Sequence, residues 1–334
     1  MYLAYQYFNG LNQLPEMEVY GFPHSDLFNR FYTKNLFNKI TYKLYPNYIF
    51  STISKNLEAT VEKYQPDVLL LFKGMEISAK VLSKIKQKGV KLVNYNLDHP
   101  FEFASRGSGN KNVLDALPLY DMHISYSHRI IQQLKDRLPT AQTAYLPFGY
   151  ALNDEDYQLV DQQHQEINRV CFIGEPDAIR VNLIKQLVDA QIPMELFGRN
   201  WDHHLQASEY LKINRSAYGI DYWHTLRRFR VQLNIFRPHN KGSHNMRSFE
   251  VPAAGGIMLA PRTEEHLAAF EEGKEAFFYD TLEEATKTAK QLLNLNPETV
   301  TTIRDAARQR SQNSGYSYPE RAKQLYHFLS KLIN

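Results

Sequence analysis

The residues best suited to chemistry fall in one segment, Asn234 to Gly256. It leaves an apolar, strand-like run, crosses a polar loop bearing Gly242 and Ser243, and enters a helical pattern. A helix start offers unpaired N–H groups and a positive dipole end, which suit a pyrophosphate. Arg237 opens the loop. Asn245, Met246, Arg247, Ser248 and Phe249 occupy the helix entry, where Arg247 adds a planar fork of donors for phosphate oxygens. Glu250 lies about one turn deeper and is placed to accept from both hydroxyls of a ribose. The same pattern also fits a solvated helix start.

Other candidates follow from position. Open parallel sheets bind ligands at the carboxyl ends of their strands. That rule selects Lys73-Gly74, Asp98-His99, Gly174 and Gly198-Arg199-Asn200-Trp201. Lys73 suits either a phosphate or open solvent. Asp98 is a candidate general base, or a turn cap before Pro100. His99 is a candidate contact to a sugar or a phosphate. Trp201 either walls a base pocket by stacking or closes the edge of a core. Asp154-Glu155-Asp156 matches a metal-binding DxD pattern literally, but it sits in a polar stretch, and no metal is expected there. His203, His204, His239 and His244 form no convincing ligand set, because adjacent side chains do not face one another on a helix. The lone Cys171 lies in an apolar run, excludes a disulfide framework or Cys-based metal site, and fits a reducing, cytoplasmic compartment.

The elements that must position these residues are short apolar runs alternating with helical patterns, the signature of βαβ units and parallel sheets. Strands are expected at 66–72, 90–95, 122–125, 169–174, 193–198, 231–235 and 256–260. A first strand is also expected before Met17-Glu18-Val19-Tyr20, although Met1 to Leu14 reads as helical. With 334 residues, two domains are expected: 1–152 on the acceptor side, 165–318 on the nucleotide side, and a terminal helix, 319–334, packing back on the first. The acidic stretch from Asn153 to Glu166 reads as a linker. A net charge of +3 is too small for a nucleic-acid binder, and 43% hydrophobic with 22% charged residues is an ordinary globular balance. No run reaches the ~18 apolar residues of a membrane span, and the amino terminus does not resemble a signal peptide.

Several spaced motifs in order make the second half similar to the CgeB-like (spore-maturation protein type) glycosyltransferases. They are Phe172-Ile173-Gly174 with Arg180, Gly198-Arg199-Asn200-Trp201, the set Asn245, Arg247, Phe249, Glu250, Gly255 and Gly256, then Thr263-Glu264 with Leu267, and Gly273-Lys274-Glu275-Ala276. The likeness spans roughly 145–330. The first half matches more loosely, through Pro66-Asp67, Lys73-Gly74, Asp98-His99-Pro100 and Leu146-Pro147-Phe148-Gly149. The resemblance implies an α/β GT-B fold, two Rossmann-like domains facing across a cleft with a C-terminal helix crossing back. It further implies a hexosyltransferase-like enzyme of polysaccharide or glycoconjugate biosynthesis. Its donor would be a nucleoside-diphosphate sugar, used without metal or cofactor, and its acceptor a glycan, a lipid-linked glycan or a protein. Under it, Lys73, Gly74, Gly174, Arg180, Gly198, Arg199, Trp201, Arg237, Asn245, Met246, Arg247, Ser248, Phe249 and Glu250 serve the donor, while Asp98 and His99 are catalytic. Many retaining relatives carry a second glutamate where this chain has Gly242, which leaves a non-catalytic nucleotide-sugar binder as the alternative. An NAD-type oxidoreductase would want a GxGxxG turn, and none is present.

Residues 28–55 are basic and aromatic, with no acid between Asp26 and Glu58. They suit either peripheral contact with anionic lipid at the inner face of a membrane, or a helical pair packing its aromatics inward and its lysines outward.

Overall fold

The computed structural model describes residues 2–103, 107–162, 165–237 and 240–333; His239, one of the histidines weighed above, lies outside them. The chain forms two compact units, Met1–Pro147 with Tyr318–Asn334, and Phe148–Ser317. No helix among the described residues is long and apolar enough to cross a membrane.

The first unit opens with helices α1 (Tyr2–Leu11), α2 (His24–Lys34), α3 (Leu36–Leu44) and α4 (Pro46–Tyr64). Extended Asn35 separates α2 from α3 and caps α3 by accepting from the Asn38 N–H. Pro46 opens α4, where its missing N–H costs nothing. There follow β1 (Val68–Phe72), α5 (Ala79–Gln87), β2 (Lys91–Asn96), α6 (Lys111–Ala116), β3 (Met122–Ser125), α7 (His128–Arg137) and β4 (Gln142–Tyr145). The four strands pair in parallel in sequence order. Leu71 packs with Ile53, Leu57, Leu82 and Ile85 of α4 and α5. Its neighbour Phe72 points to the opposite face, where its ring meets Tyr7 of α1 at 5.6 Å. The strand expected before Met17 is absent among the described residues. Tyr2–Leu11 is helix, so β1 is left as a sheet edge with a cavity of about 460 Å³ along it.

The second unit contains α8 (Asp154–Gln162), β5 (Ile167–Ile173), α9 (Ala178–Asp189), β6 (Met194–Phe197), β7 (Leu211–Asn214), α10 (Ile220–Arg228), β8 (Phe229–Leu233), α11 (Arg247–Ala253), β9 (Met258–Pro261), α12 (Glu264–Ala269), β10 (Phe277–Tyr279), α13 (Leu282–Leu293) and α14 (Pro297–Asn313). Its sheet is parallel, in the order β10-β9-β8-β5-β6-β7. Winding therefore reverses between β5 and β8. The core centres on Val170, Phe172, Leu196, Val231 and Leu259, all buried.

The expected linker is corrected by helix α8, whose acids meet arginines distant in sequence. Asp154 pairs with Arg308 at 2.9 Å and Asp161 with Arg227 at 2.7 Å, while Glu166, just beyond the helix, accepts from Arg230 and Arg304. The final helix, α15 (Tyr318–Ile333), belongs to the first unit and packs on α1. A Cβ on Gly10 would stand 2.6 Å from the Ala322 Cβ, so glycine permits this close crossing.

Candidate functional site

The carboxyl ends of β5 and β8 flank the reversal point of the second sheet, the place where an open α/β sheet forms a ligand crevice. Gly174 directly follows β5 and Gly198 directly follows β6. A Cβ on Gly198 would lie 2.1 Å from the Gly174 carbonyl oxygen, so the two strand ends approach as only glycine allows. Asp177 caps α9 by accepting from the Arg180 N–H at 3.0 Å. The Arg180 guanidinium is thereby turned back over the strand ends, donating to the carbonyls of Glu175 at 3.0 Å and Ile235 at 3.2 Å. Burial pushes its pKa down to about 10; Asp177 opposes the shift, and the positive charges of Arg237 and Arg247 add to it. Arg237 and Arg247 thus stand close enough to the buried Arg180 guanidinium to disfavour its charge at the reversal point. The Arg247 Nε is buried without a hydrogen-bond partner among the described residues. An anion placed there relieves both penalties.

Glu250 lies one turn into α11 with its side chain buried. Burial raises its pKa, while Arg247 and the hydrogen bond from Tyr222 restrain the rise. Tyr222, at the start of α10, donates to Glu250 Oε2 at 2.6 Å and leaves other acceptor positions on the carboxylate. α11 itself is only seven residues long, and the Ser248 N–H already donates to Asn245 Oδ1 at 3.2 Å. The positive charge expected from the helix end is therefore carried by arginine side chains instead.

Two buried polar chains hold the segment from Ser243 to Ser248, and both originate on α12. Glu265 Oε2 accepts from Ser243 Oγ at 2.5 Å and pairs with His244 Nδ1 at 2.6 Å. The Phe148 N–H donates to His244 Nε2 at 3.2 Å, which places the proton of a neutral His244 on Nδ1. In the second chain, His266 Nδ1 donates to the Pro261 carbonyl at 2.8 Å, so its Nε2 accepts from Ser248 Oγ at 2.7 Å. Burial pushes the His266 pKa down to about 4, keeping it neutral. Asn234 completes the set, exchanging hydrogen bonds of 3.0 and 2.7 Å with Asn245.

Residues 180–327 match the model of a glycosyl transferase-like family. None of the curated proteins matches the chain in sequence. Among solved structures, sucrose-phosphate synthase from Thermosynechococcus elongatus superposes with a TM-score of 0.62 at 13% identity, covering 86% of this chain and 79% of that one. A glycosyltransferase from Rickettsia africae gives 0.60 at 11% identity, over 90% and 83% of the two chains. The HepE protein of Anabaena, solved with UDP-glucose, gives 0.58 at 13% identity, over 84% and 82%. The fold is GT-B.

Within this GT-B fold the other predicted residues are placed unequally. Gly174, Gly198, Arg237, Asn245, Met246, Arg247, Ser248 and Glu250 lie along the carboxyl-end loops of β5, β6 and β8 and the start of α11, and Arg180 lies in the first turn of α9. Arg199 is exposed there, bound to Glu175 Oε1 through Nε at 2.8 Å. Trp201 is corrected to a structural role: it is fully buried, donates to the Gly174 carbonyl at 2.7 Å, and meets Phe172 edge-on, so it has no free face for a base. Phe249 is likewise buried, against His244 and Tyr316. Gly242 has φ +79 with open space around its Cβ position, a backbone state that strains any side chain.

In the first unit Lys73 and Gly74 both adopt positive φ after β1, and the Lys73 ammonium pairs with Asp98 and donates to the Gly107 carbonyl at 2.7 Å. His99 is buried, and its Nδ1 accepts from the N–H groups of Phe101 and Glu102, so it organises its own turn. Burial lowers its pKa, with Glu102 opposing. Among the described residues no cluster of three or more His, Cys, Asp or Glu side chains is placed to hold a metal. Sequence reading gave no role to Tyr222, Glu265 or His266. Thr263 caps α12 in the structure, but nothing local pointed to partners 18–28 residues away.

Proposed function

We propose that the chain is a glycosyltransferase using a nucleoside-diphosphate sugar, with the diphosphate on Arg180, Arg237 and Arg247 and the ribose on Glu250. The observation that carries this is the gathering of Arg180, Arg237 and Arg247, the last with a buried Nε lacking a hydrogen-bond partner among the described residues, near the buried Glu250 carboxylate at the sheet's reversal point. The glycosyl transferase-like match over 180–327 and the UDP-glucose bound by the HepE protein support it. In the reaction the bond from the sugar's anomeric carbon to the diphosphate breaks, and a bond to an acceptor hydroxyl forms. The hydroxyl proton must leave, and the arginines neutralise the departing diphosphate. The first unit would serve the acceptor, with Asp98 as the proton's destination once Lys73 releases it. His99, buried and used by its own turn, would act by shaping that turn. The acceptor class is a glycan, a lipid-linked glycan or a protein, and the CgeB-like subtype remains part of this proposal. Metal is not required in this reading. Gly242 favours a second reading, a binder that holds the donor without turnover.

A thermal-shift panel of nucleoside diphosphates and their sugars, with NAD as control, tests the donor class. One nucleotide family should raise the melting temperature, and Arg247→Ala should abolish the rise. Donor hydrolysis or transfer should then persist in a strong chelator and fall in Asp98→Asn without loss of donor binding. A shift with NAD alone would sink the proposal, whereas donor binding with no turnover would select the second reading.

A further inference from the structure

We propose that helix α3 and the turn after it form a docking surface for an anionic lipid bilayer. Helices α2 and α3 bury none of their side chains fully, yet they already have an inward apolar set. Phe28 meets Tyr42 at 5.0 Å and Phe50 at 5.8 Å between ring centroids. That set satisfies the packing of an ordinary helical pair. A second apolar set points outward. Leu36 and Phe37 are each 72% exposed, Leu44 is 65% exposed, and Ile40 is also exposed. On a helix these four positions share an arc of about 100°. Tyr45 and Tyr48 extend it past the helix end, at 69% and 62% exposure.

The chemistry of the margin selects the partner. Lys39 and Lys43 follow the same arc on one side, both exposed, with Arg30 and Lys34 on α2. No acid occurs between Asp26 and Glu58, so no carboxylate in this segment neutralises them. Lysine stems lie along apolar surface while their heads reach outward. Aliphatic groups in the acyl boundary, tyrosines at headgroup depth and lysines at phosphates are what an interfacial helix requires. A nucleic acid would use the charges and aromatics but has no use for Leu36, Ile40 and Leu44. This inference does not rest on the glycosyl-transfer reading.

The test is co-sedimentation of the full chain with phosphatidylcholine vesicles and with vesicles containing one part in four phosphatidylglycerol. Binding should need the anionic lipid and weaken as salt rises. Phe37→Ser with Leu44→Ser should lower affinity at least about tenfold, and Lys39→Gln with Lys43→Gln about fivefold per charge. Because these side chains are exposed, both variants should keep the wild-type melting temperature. The lipid and salt arms use the unaltered chain and decide the question even if a variant misfolds. Equal binding to both vesicles, binding unchanged in the variants, or no vesicle binding would overturn the proposal. So would a patch that instead holds a dimer which the variants dissociate.

Discussion

Glu250 shows most clearly how burial and function oppose each other at one side chain. Its folded-state pKa lies above the ordinary carboxylate value because burial outweighs Arg247 and Tyr222. A carboxyl group with a raised folded pKa binds its proton more tightly folded than unfolded. Stability therefore falls as pH rises through that interval, and the ionised form is a net cost at neutral pH. Glu250→Gln should keep or raise the melting temperature while weakening donor binding, since an amide is a poorer acceptor for two ribose hydroxyls than a carboxylate. Calorimetric titration with the donor diphosphate beside a melting curve checks both halves. A lowered melting temperature with intact affinity would make Glu250 a structural residue.

At the scale of elements, α12 grips the loop that carries the arginines. Glu265 and His266 touch Ser243, His244 and Ser248, none of which is proposed to carry phosphate through its own charge. Glu265→Ala leaves His244 Nδ1 and Ser243 Oγ without their buried acceptor, a loss of about 1–3 kcal/mol each before relaxation. Donor affinity should fall with it, through loop disorder rather than a lost contact. Hydrogen exchange over 240–248 should rise in this variant but not in Glu250→Gln. Equal protection in both would show that the loop holds its shape without α12. Much of this layer was legible in advance: the strands expected at 169–174, 193–198 and 231–235 overlap β5, β6 and β8, because continuous apolar runs mark doubly covered strands. β7 escaped notice because Leu211-Lys212-Ile213-Asn214 alternates instead of running apolar, and β10 because it is only three residues long.

Across the whole molecule, each unit contains a histidine that deep burial keeps neutral. Burial pushes His123 of the first unit and His266 of the second down to about 4. For a histidine depressed in this way the unfolded state binds protons first, so stability is full above about pH 6.5 and is lost as pH falls toward about 4. The displacement amounts to roughly 3 kcal/mol per histidine at the acid end. The melting temperature should drop steadily across that window, and replacing His123 with Gln should flatten part of the drop. A flat profile between pH 6.5 and 4 would show that neither ring stays neutral in the fold.

The amino-acid sequence by itself determined the α/β rhythm, its likeness to a known family implied the GT-B fold class, and its residue types marked the segment from Asn234 to Gly256 as a candidate site. Local periodicity and motif spacing are properties of neighbouring residues, and they survive without knowledge of contacts. Tertiary structure alone decided which polar groups find each other. Within the acidic stretch it formed a helix over Asp154–Gln162, whose Asp154 and Asp161 meet Arg308 and Arg227. It sank Trp201 beneath the strand ends and brought Tyr222 to Glu250 across 28 residues. It also left Leu36, Phe37, Ile40 and Leu44 outside every core. Burial and pairing are set by the packing of distant elements, and no window along the chain contains that information.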